Sequence, residues 1–225
     1  MIKLLGGGVN VRVTGGAFKG RKLVAPEGAK TRPTAAKVRE ALFDILGPRV
    51  RGSAFLDLCS GTGAVGIEAL SRGASRAVFV ERSGRALAAL RRNLEALGLA
   101  ERSRILALSA SRALALLSSS PEKFSLAYLD PPYSSEDRLA ILQSLGDSDV
   151  WQPGAVLAVE HRSKETAEAP EGFVLLKAYR YGDTGLSLFG RTEREENSNP
   201  PQPRDGSATA ALGTAFRRGT SEENR

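Results

Sequence analysis

Apolar residues along this chain fall into two alternating rhythms. Short, nearly unbroken apolar runs occupy residues 54–58, 77–80, 104–108, 124–129 and 155–160. Runs of that length, rich in Val, Leu, Phe and Ala, predict strands buried on both faces. Between them lie longer stretches with apolar residues three and four apart, at 64–71, 83–97, 110–118 and 136–145, which predict helices. Gly98 closes the second of these. Residues 173–181 and 185–189 read as a closing hairpin. Upstream, residues 11–13 and 21–24 flank a glycine-rich turn at 15–20 and predict a small hairpin. A helix is expected over 34–46, where Pro33 suits a first turn, Val38, Ala41, Leu42 and Ile45 share a face, and Gly47-Pro48 forms the stop. Strands alternating with helices, then a hairpin, predict an α/β fold. The expected sheet has seven strands, mostly parallel with one antiparallel. From about residue 192 the pattern fails and Pro, Ser, Asn, Gly and Glu dominate, so a disordered tail is expected. The expected divisions are 1–51 (basic hairpin and helix), 52–190 (the sheet domain) and 191–225 (the tail).

Charge sharpens that division. Residues 1–51 hold 11 Lys/Arg against 3 Asp/Glu, whereas residues 52–190 hold 15 against 16. The formal charge of +7 therefore belongs to the N-terminal segment. A local basic excess is what a polyanion needs, and it makes Lys19, Arg21, Lys22, Arg32, Lys37 and Arg39 candidate RNA contacts. The bland alternative is an ordinary solvated basic surface. No run of eighteen apolar residues is present, which argues against a transmembrane helix. The opening Met1-Ile2-Lys3-Leu4-Leu5, followed by three glycines, lacks the apolar region of a signal peptide. The single cysteine, Cys59, rules out an internal disulfide and suits a cytoplasmic protein. It reads as a small residue in a tight turn rather than a nucleophile. No metal site is expected.

Two motifs carry chemistry. Asp57-Leu58-Cys59-Ser60-Gly61-Thr62-Gly63 follows the first apolar strand, and Gly61 and Gly63 permit close backbone approach to a ligand. A glycine loop of this kind is shared with nicotinamide and flavin enzymes. Two acids favour S-adenosylmethionine. Asp57 opens the loop, where it can face an ammonium group, and Glu81 ends the next strand, where a ribose acceptor belongs. The second motif, Asp130-Pro131-Pro132-Tyr133, also follows an apolar strand. The Asp130 carboxylate and the Pro131 carbonyl can accept both hydrogens of one NH2 group. The prolines stiffen the turn and remove competing N–H donors. Tyr133 offers a ring on which an extruded base can stack. In a βαβ protein, loops at the carboxyl ends of parallel strands share one crevice, so the two motifs are expected to meet. His161, at the end of the fifth strand, reads as structural, and Trp151 as a cap on the core.

With these residues in place, the chain resembles the bacterial small-subunit ribosomal RNA methyltransferases that modify N2 of one guanine in 16S rRNA. The resemblance spans residues 11–190. It rests on Gly20-Arg21-Lys22-Leu23, Thr31-Arg32-Pro33-Thr34, Val38-Arg39-Glu40-Ala41-Leu42-Phe43, the two motifs above, and Tyr181-Gly182-Asp183-Thr184. It implies the Rossmann-like class I methyltransferase fold, S-adenosylmethionine as donor, and 16S rRNA of the small subunit as partner, with guanine 966 as target. It implies Asp130, Pro131 and Tyr133 as catalytic residues. Cofactor contacts fall to Asp57, Ser60, Gly61, Gly63, Glu81, Ser109 and Ala110. The chain departs from many relatives by carrying Ser109-Ala110 where they place Asp or Asn, and Cys59-Ser60 where they carry Phe-Ala. Two other readings stay open: DNA adenine or cytosine amino-methylation by the same clamp, and a non-catalytic RNA-binding assembly factor. Methyl transfer to rRNA, to DNA or to neither separates them.

Overall fold

The computed structural model describes residues 11–26, 33–131, 135–165 and 167–192, without the side chains of 33–35 and 135–137. The described residues begin with two two-residue strands, β1 (Val11–Arg12) and β2 (Lys22–Leu23), paired antiparallel around the glycine-rich turn. Helix α1 (Pro33–Leu46) follows, then a 3-10 turn, Gly47–Val50. The repeating part runs β3 (Ala54–Leu58), α2 (Ala64–Ser71), β4 (Arg76–Val80), α3 (Gly84–Ala96), β5 (Ser103–Leu106), α4 (Ala110–Ser118), β6 (Phe124–Leu129), α5 (Ser135–Asp147) and β7 (Trp151–Arg162). Strands β8 (Phe173–Tyr181) and β9 (Thr184–Arg191) close the sheet as a hairpin.

Seven strands lie in the order β5-β4-β3-β6-β7-β9-β8. The first five are mutually parallel, and β9 runs antiparallel to β7 and β8. This is the expected mostly parallel sheet with one antiparallel strand. Strand β3 is buried along its whole length because helices cover both faces. One face packs Phe55 and Phe79 against residues of the hairpin, α1, α2 and α3, with Val13, Leu23, Leu42 and Phe43 in the same cluster. The other packs Leu56, Leu58 and Val78 against α4 and α5. The N-terminal segment thus shares its core with the sheet.

Strand β7 is longer than the apolar run at 155–160, because Trp151 pairs with Phe124 before a register shift resumes pairing at Val156. The Pro153-Gly154 pair, which reads as a break in sequence, is accommodated at that irregularity. Trp151 is buried, donates its indole N–H to the Leu145 carbonyl at 3.1 Å, and meets Phe173 edge to face. The expected tail lies outside the described residues from 193 onward.

Candidate active site

Register decides what stands beside what at the crevice. Leu58, the last residue of β3, pairs with Val80 at the end of β4 and with Leu129 at the end of β6. Cys59, Glu81 and Asp130 therefore leave three adjacent parallel strands side by side. Strand order reverses between β3 and β6, so these residues surround the topological switch point, where open α/β sheets bind ligands. The glycine loop and the Asp-Pro turn meet there.

The glycine loop is held by its backbone. The Ser60 N–H donates to the Val80 carbonyl at 2.8 Å, and the Ser60 hydroxyl reaches the same oxygen at 3.2 Å. The Gly63 N–H closes back on the Ser60 carbonyl at 2.7 Å. Glu81 staples the loop to the end of β4. One carboxylate oxygen accepts from the Gly61 N–H at 2.8 Å; the other accepts from the N–H groups of Arg82 and Ser83 at 2.8 and 2.7 Å. Gly61 and Gly63 have φ of +55° and +78°. A Cβ on Gly63 would sit 2.3 Å from Leu90 Cδ1, whereas one on Gly61 would meet nothing within 4 Å. Gly63 is thus required by its left-handed backbone and close packing, whereas at Gly61 only the left-handed backbone calls for glycine. Cys59 has φ +63°, the one left-handed non-glycine among the described residues. Burial first, then the nearby carboxylates, push its thiol up to about 12, so it is no thiolate nucleophile.

The crevice is anionic. Asp57 lies buried in β3 and accepts the Gly66 N–H at 2.8 Å. Its pKa is raised to about 7, chiefly by burial and also by the charges of Asp130 and Glu81, against the lowering effect of that hydrogen bond. Asp130 is exposed, Pro131 is buried, and Tyr133 lies outside the described residues. Ser109 and Ala110 begin α4 after β5, with Ser109 half-buried and its hydroxyl making no cap bond. Among the described residues, no group of three or more His, Cys, Asp or Glu is placed to hold a metal, and no helix is long and apolar enough to cross a membrane.

The basic candidates divide. Lys19, Arg21, Lys22 and Lys37 are exposed, and Arg32 lies outside the described residues. Arg39 does not face solvent as expected. It is buried, with Nε 3.5 Å from Glu68 and Nη2 donating to the Arg12 carbonyl at 2.6 Å. The cause is Glu68, a fully buried carboxylate on α2 that also accepts from the Thr14 N–H and hydroxyl at 2.8 Å each and from Arg72 Nε at 2.9 Å. A buried carboxylate requires such partners. The network fastens the hairpin to the helix that opens at the glycine loop.

Three further polar groups escaped the sequence reading. Asn93 on α3, also buried, pairs with the N–H and carbonyl of Val24 at 2.7 and 3.0 Å and donates to the Thr62 carbonyl at 3.0 Å. It ties the hairpin to the glycine loop. Tyr128 donates to Glu160 at 2.5 Å, and its pKa is raised well above 10 by burial and by Glu160. A signal existed for Glu68 and Asn93: Glu68 is the lone charged residue of its short apolar helix, and Asn93 the lone polar residue at a core position of its helix. His161 is structural, as expected: one ring nitrogen meets the Arg162 carbonyl and the other the Ser187 hydroxyl, both at 2.9 Å. Because a carbonyl can only accept, Nδ1–H donates to Arg162.

Comparison with known proteins decides the family. The model of the family described as "Conserved hypothetical protein 95" matches residues 11–190. The Ribosomal RNA small subunit methyltransferase D of Escherichia coli K12 is 34% identical over 192 residues, covering 85% of this chain and 95% of that protein. Its Haemophilus influenzae namesake is 31% identical over 180 residues, covering 80% and 93%. The chain belongs to this family. Among solved structures, a Thermus thermophilus protein is 33% identical with a TM-score of 0.68, covering 79% of this chain and 98% of that one. The T. thermophilus 16S rRNA N2 G1207 methyltransferase, solved with AdoMet and guanosine, shares the fold at 22% identity and a TM-score of 0.60, covering 83% of this chain and 50% of that one. The sheet is thus that of the class I methyltransferases.

Proposed function

We propose that this chain transfers a methyl group from S-adenosylmethionine to the exocyclic N2 amine of a guanine, guanine 966, in 16S rRNA of the small ribosomal subunit. One observation carries the reading: the paired ends of β3 and β6 bring the Asp130-Pro131 turn beside the glycine loop. Membership of the methyltransferase D family supports the ribosomal substrate.

The residues present fit the cofactor. Three carboxylates, two of which hold the Asp57 pKa up by their charge, make a site that a cationic ligand relieves. Gly61 leaves open space where a Cβ would stand, while its N–H is held by Glu81. Asp57 would face the ammonium group, and Glu81 would take the ribose hydroxyls with its remaining lone pairs. Ser60, Gly63, Ser109 and Ala110 would complete the wall. S-adenosylmethionine supplies a methyl group activated by its sulfonium.

The chain's own part is to hold the amine. The Asp130 carboxylate and Pro131 carbonyl would accept the two N–H groups and turn the nitrogen lone pair toward the methyl, while the Tyr133 ring stacks the base. Asp130 acts as an acceptor and not as a base on the free amine, because an exocyclic amine is far too weak an acid for a carboxylate to ionise. Once the nitrogen carries a fourth substituent its N–H becomes acidic, and the solvent-exposed Asp130 can take that proton to water. Lys19, Arg21, Lys22, Arg32 and Lys37 would contact phosphates. Arg39 would act through the hairpin it anchors.

Tritium transfer from S-adenosylmethionine tests the reading. Label should enter 16S rRNA in small subunits lacking the modification. Label in DNA instead would make the chain a DNA amino-methyltransferase. Label in neither, with RNA still bound, would make it a non-catalytic assembly factor.

A further inference from the structure

The geometry points to a second half of the RNA surface, on helix α3, where Arg85 and Arg92 continue the basic face of the hairpin and bind RNA phosphates. This rests on the RNA-directed reading above and adds residues to its binding face. Averaged over residues 52–190 the charge is near balance, yet residues 82–97 hold four Arg and one Glu. Leu87, Leu90 and Leu94 turn that helix's apolar side to the core, which leaves Arg85 and Arg92 exposed. Positions 85, 92 and 96 are related by i, i+7 and i+11, so they form one stripe about 16 Å long. The hairpin runs beside this stripe. Arg21 Nη2 donates to the Ala96 carbonyl at 3.1 Å, and Val24 pairs with Asn93. Arg21 and Lys22 therefore stand at one end of the α3 stripe. Its other end adjoins Glu81 and the crevice.

No local partner ties these two arginines to the fold. Among the described residues neither makes a hydrogen bond or ion pair, whereas Arg72, Arg102, Arg104 and Arg138 are each engaged locally. Arg85 also sits in the first turn of α3, where no acid accompanies it and where the helix dipole disfavours a cation. What sets this pair apart from other exposed arginines is its place beside the hairpin, where an external anion would reach both guanidinium groups and offset the dipole cost at Arg85. A polyanion laid from the hairpin along α3 would meet cations on its way to Asp130.

The test is the salt dependence of binding to in vitro transcribed 16S rRNA. Each lost phosphate contact should reduce the slope of log K against log salt by roughly 0.7–0.9. Arg85→Ala/Arg92→Ala should flatten the slope by roughly 1.5, and Arg85→Lys/Arg92→Lys should restore it. Arg49→Ala/Arg51→Ala removes the same charge from exposed positions at the opposite end of β3 and should leave the slope unchanged. Thermal melting should show the α3 alanine variant folded and no less stable than wild type. An α3 variant with the wild-type slope would overturn the inference, and so would equal flattening by both alanine pairs. Methyl transfer by the wild-type protein is measured separately: its absence would sink the proposed chemistry, while the slopes would still decide the surface.

Discussion

The two loops that meet at the crevice are made rigid in different ways. The loop after β3 is held by hydrogen bonds: Ser60 to Val80, Gly61 to Glu81, Gly63 to Ser60, and Asn93 to Thr62. The turn after β6 starts with Pro131, whose ring fixes φ and supplies no N–H, before the chain leaves the described residues at 132–134. The first keeps its groups engaged and asks a ligand to fit its backbone. The second leaves Asp130 exposed at the crevice. On this view, changes in the first loop alter stability and cofactor affinity, and changes in the second alter chemistry alone.

The sharpest way to break that division is at Asp130. Asp130→Ala should lower single-turnover methyl transfer by about 10²–10³-fold, the size of effect seen when one transition-state contact is removed, while calorimetric cofactor binding stays intact. Asp130→Asn should be milder, since its amide oxygen still accepts one hydrogen bond. Next comes Gly63→Ala, which combines a left-handed backbone with a Cβ 2.3 Å from Leu90. It should cost about 2–4 kcal/mol in chemical unfolding. Gly61→Ala, strained but unobstructed, should cost only about 1–2 kcal/mol of stability, with its larger effect on cofactor affinity.

Glu81→Ala should follow, weakening cofactor binding by about 1–3 kcal/mol, the range for a lost hydrogen bond to a charged group. The smallest effect should be in pH. A cationic cofactor favours ionised Asp57, whose pKa is raised to about 7, so below that pH binding must expel a proton. Affinity should rise about fivefold between pH 6 and 7 and level off above. Asp57→Asn should flatten this profile in calorimetric titrations.

Much of the fold was legible because strands buried on both faces leave unbroken apolar runs, as at β3 and β6. The pairing of Asp57-to-Gly63 with Asp130-Pro131 was legible because parallel topology forces it. What the sequence could not show depends on partners far apart along the chain. Arg39 reads as a surface cation until Glu68, 29 positions later, is seen buried beneath it. The α3 arginines vanish in a regional charge average, and it takes the seating of Arg21 on Ala96 and of Val24 on Asn93 to join them to the hairpin. Trp151 reads as lying outside the fifth strand because Pro153-Gly154 interrupts the run, yet the register shift carries the strand across it.

Nucleoside mapping by mass spectrometry tests the proposed methyl transfer at its product. Small subunits from cells lacking this modification would be incubated with the protein and isotopically labelled S-adenosylmethionine, and the 16S rRNA digested. A single labelled N2-methylguanine, at position 966, is the expected product. Label on an adenine or cytosine amine, or no label under conditions where the cofactor binds, would contradict it.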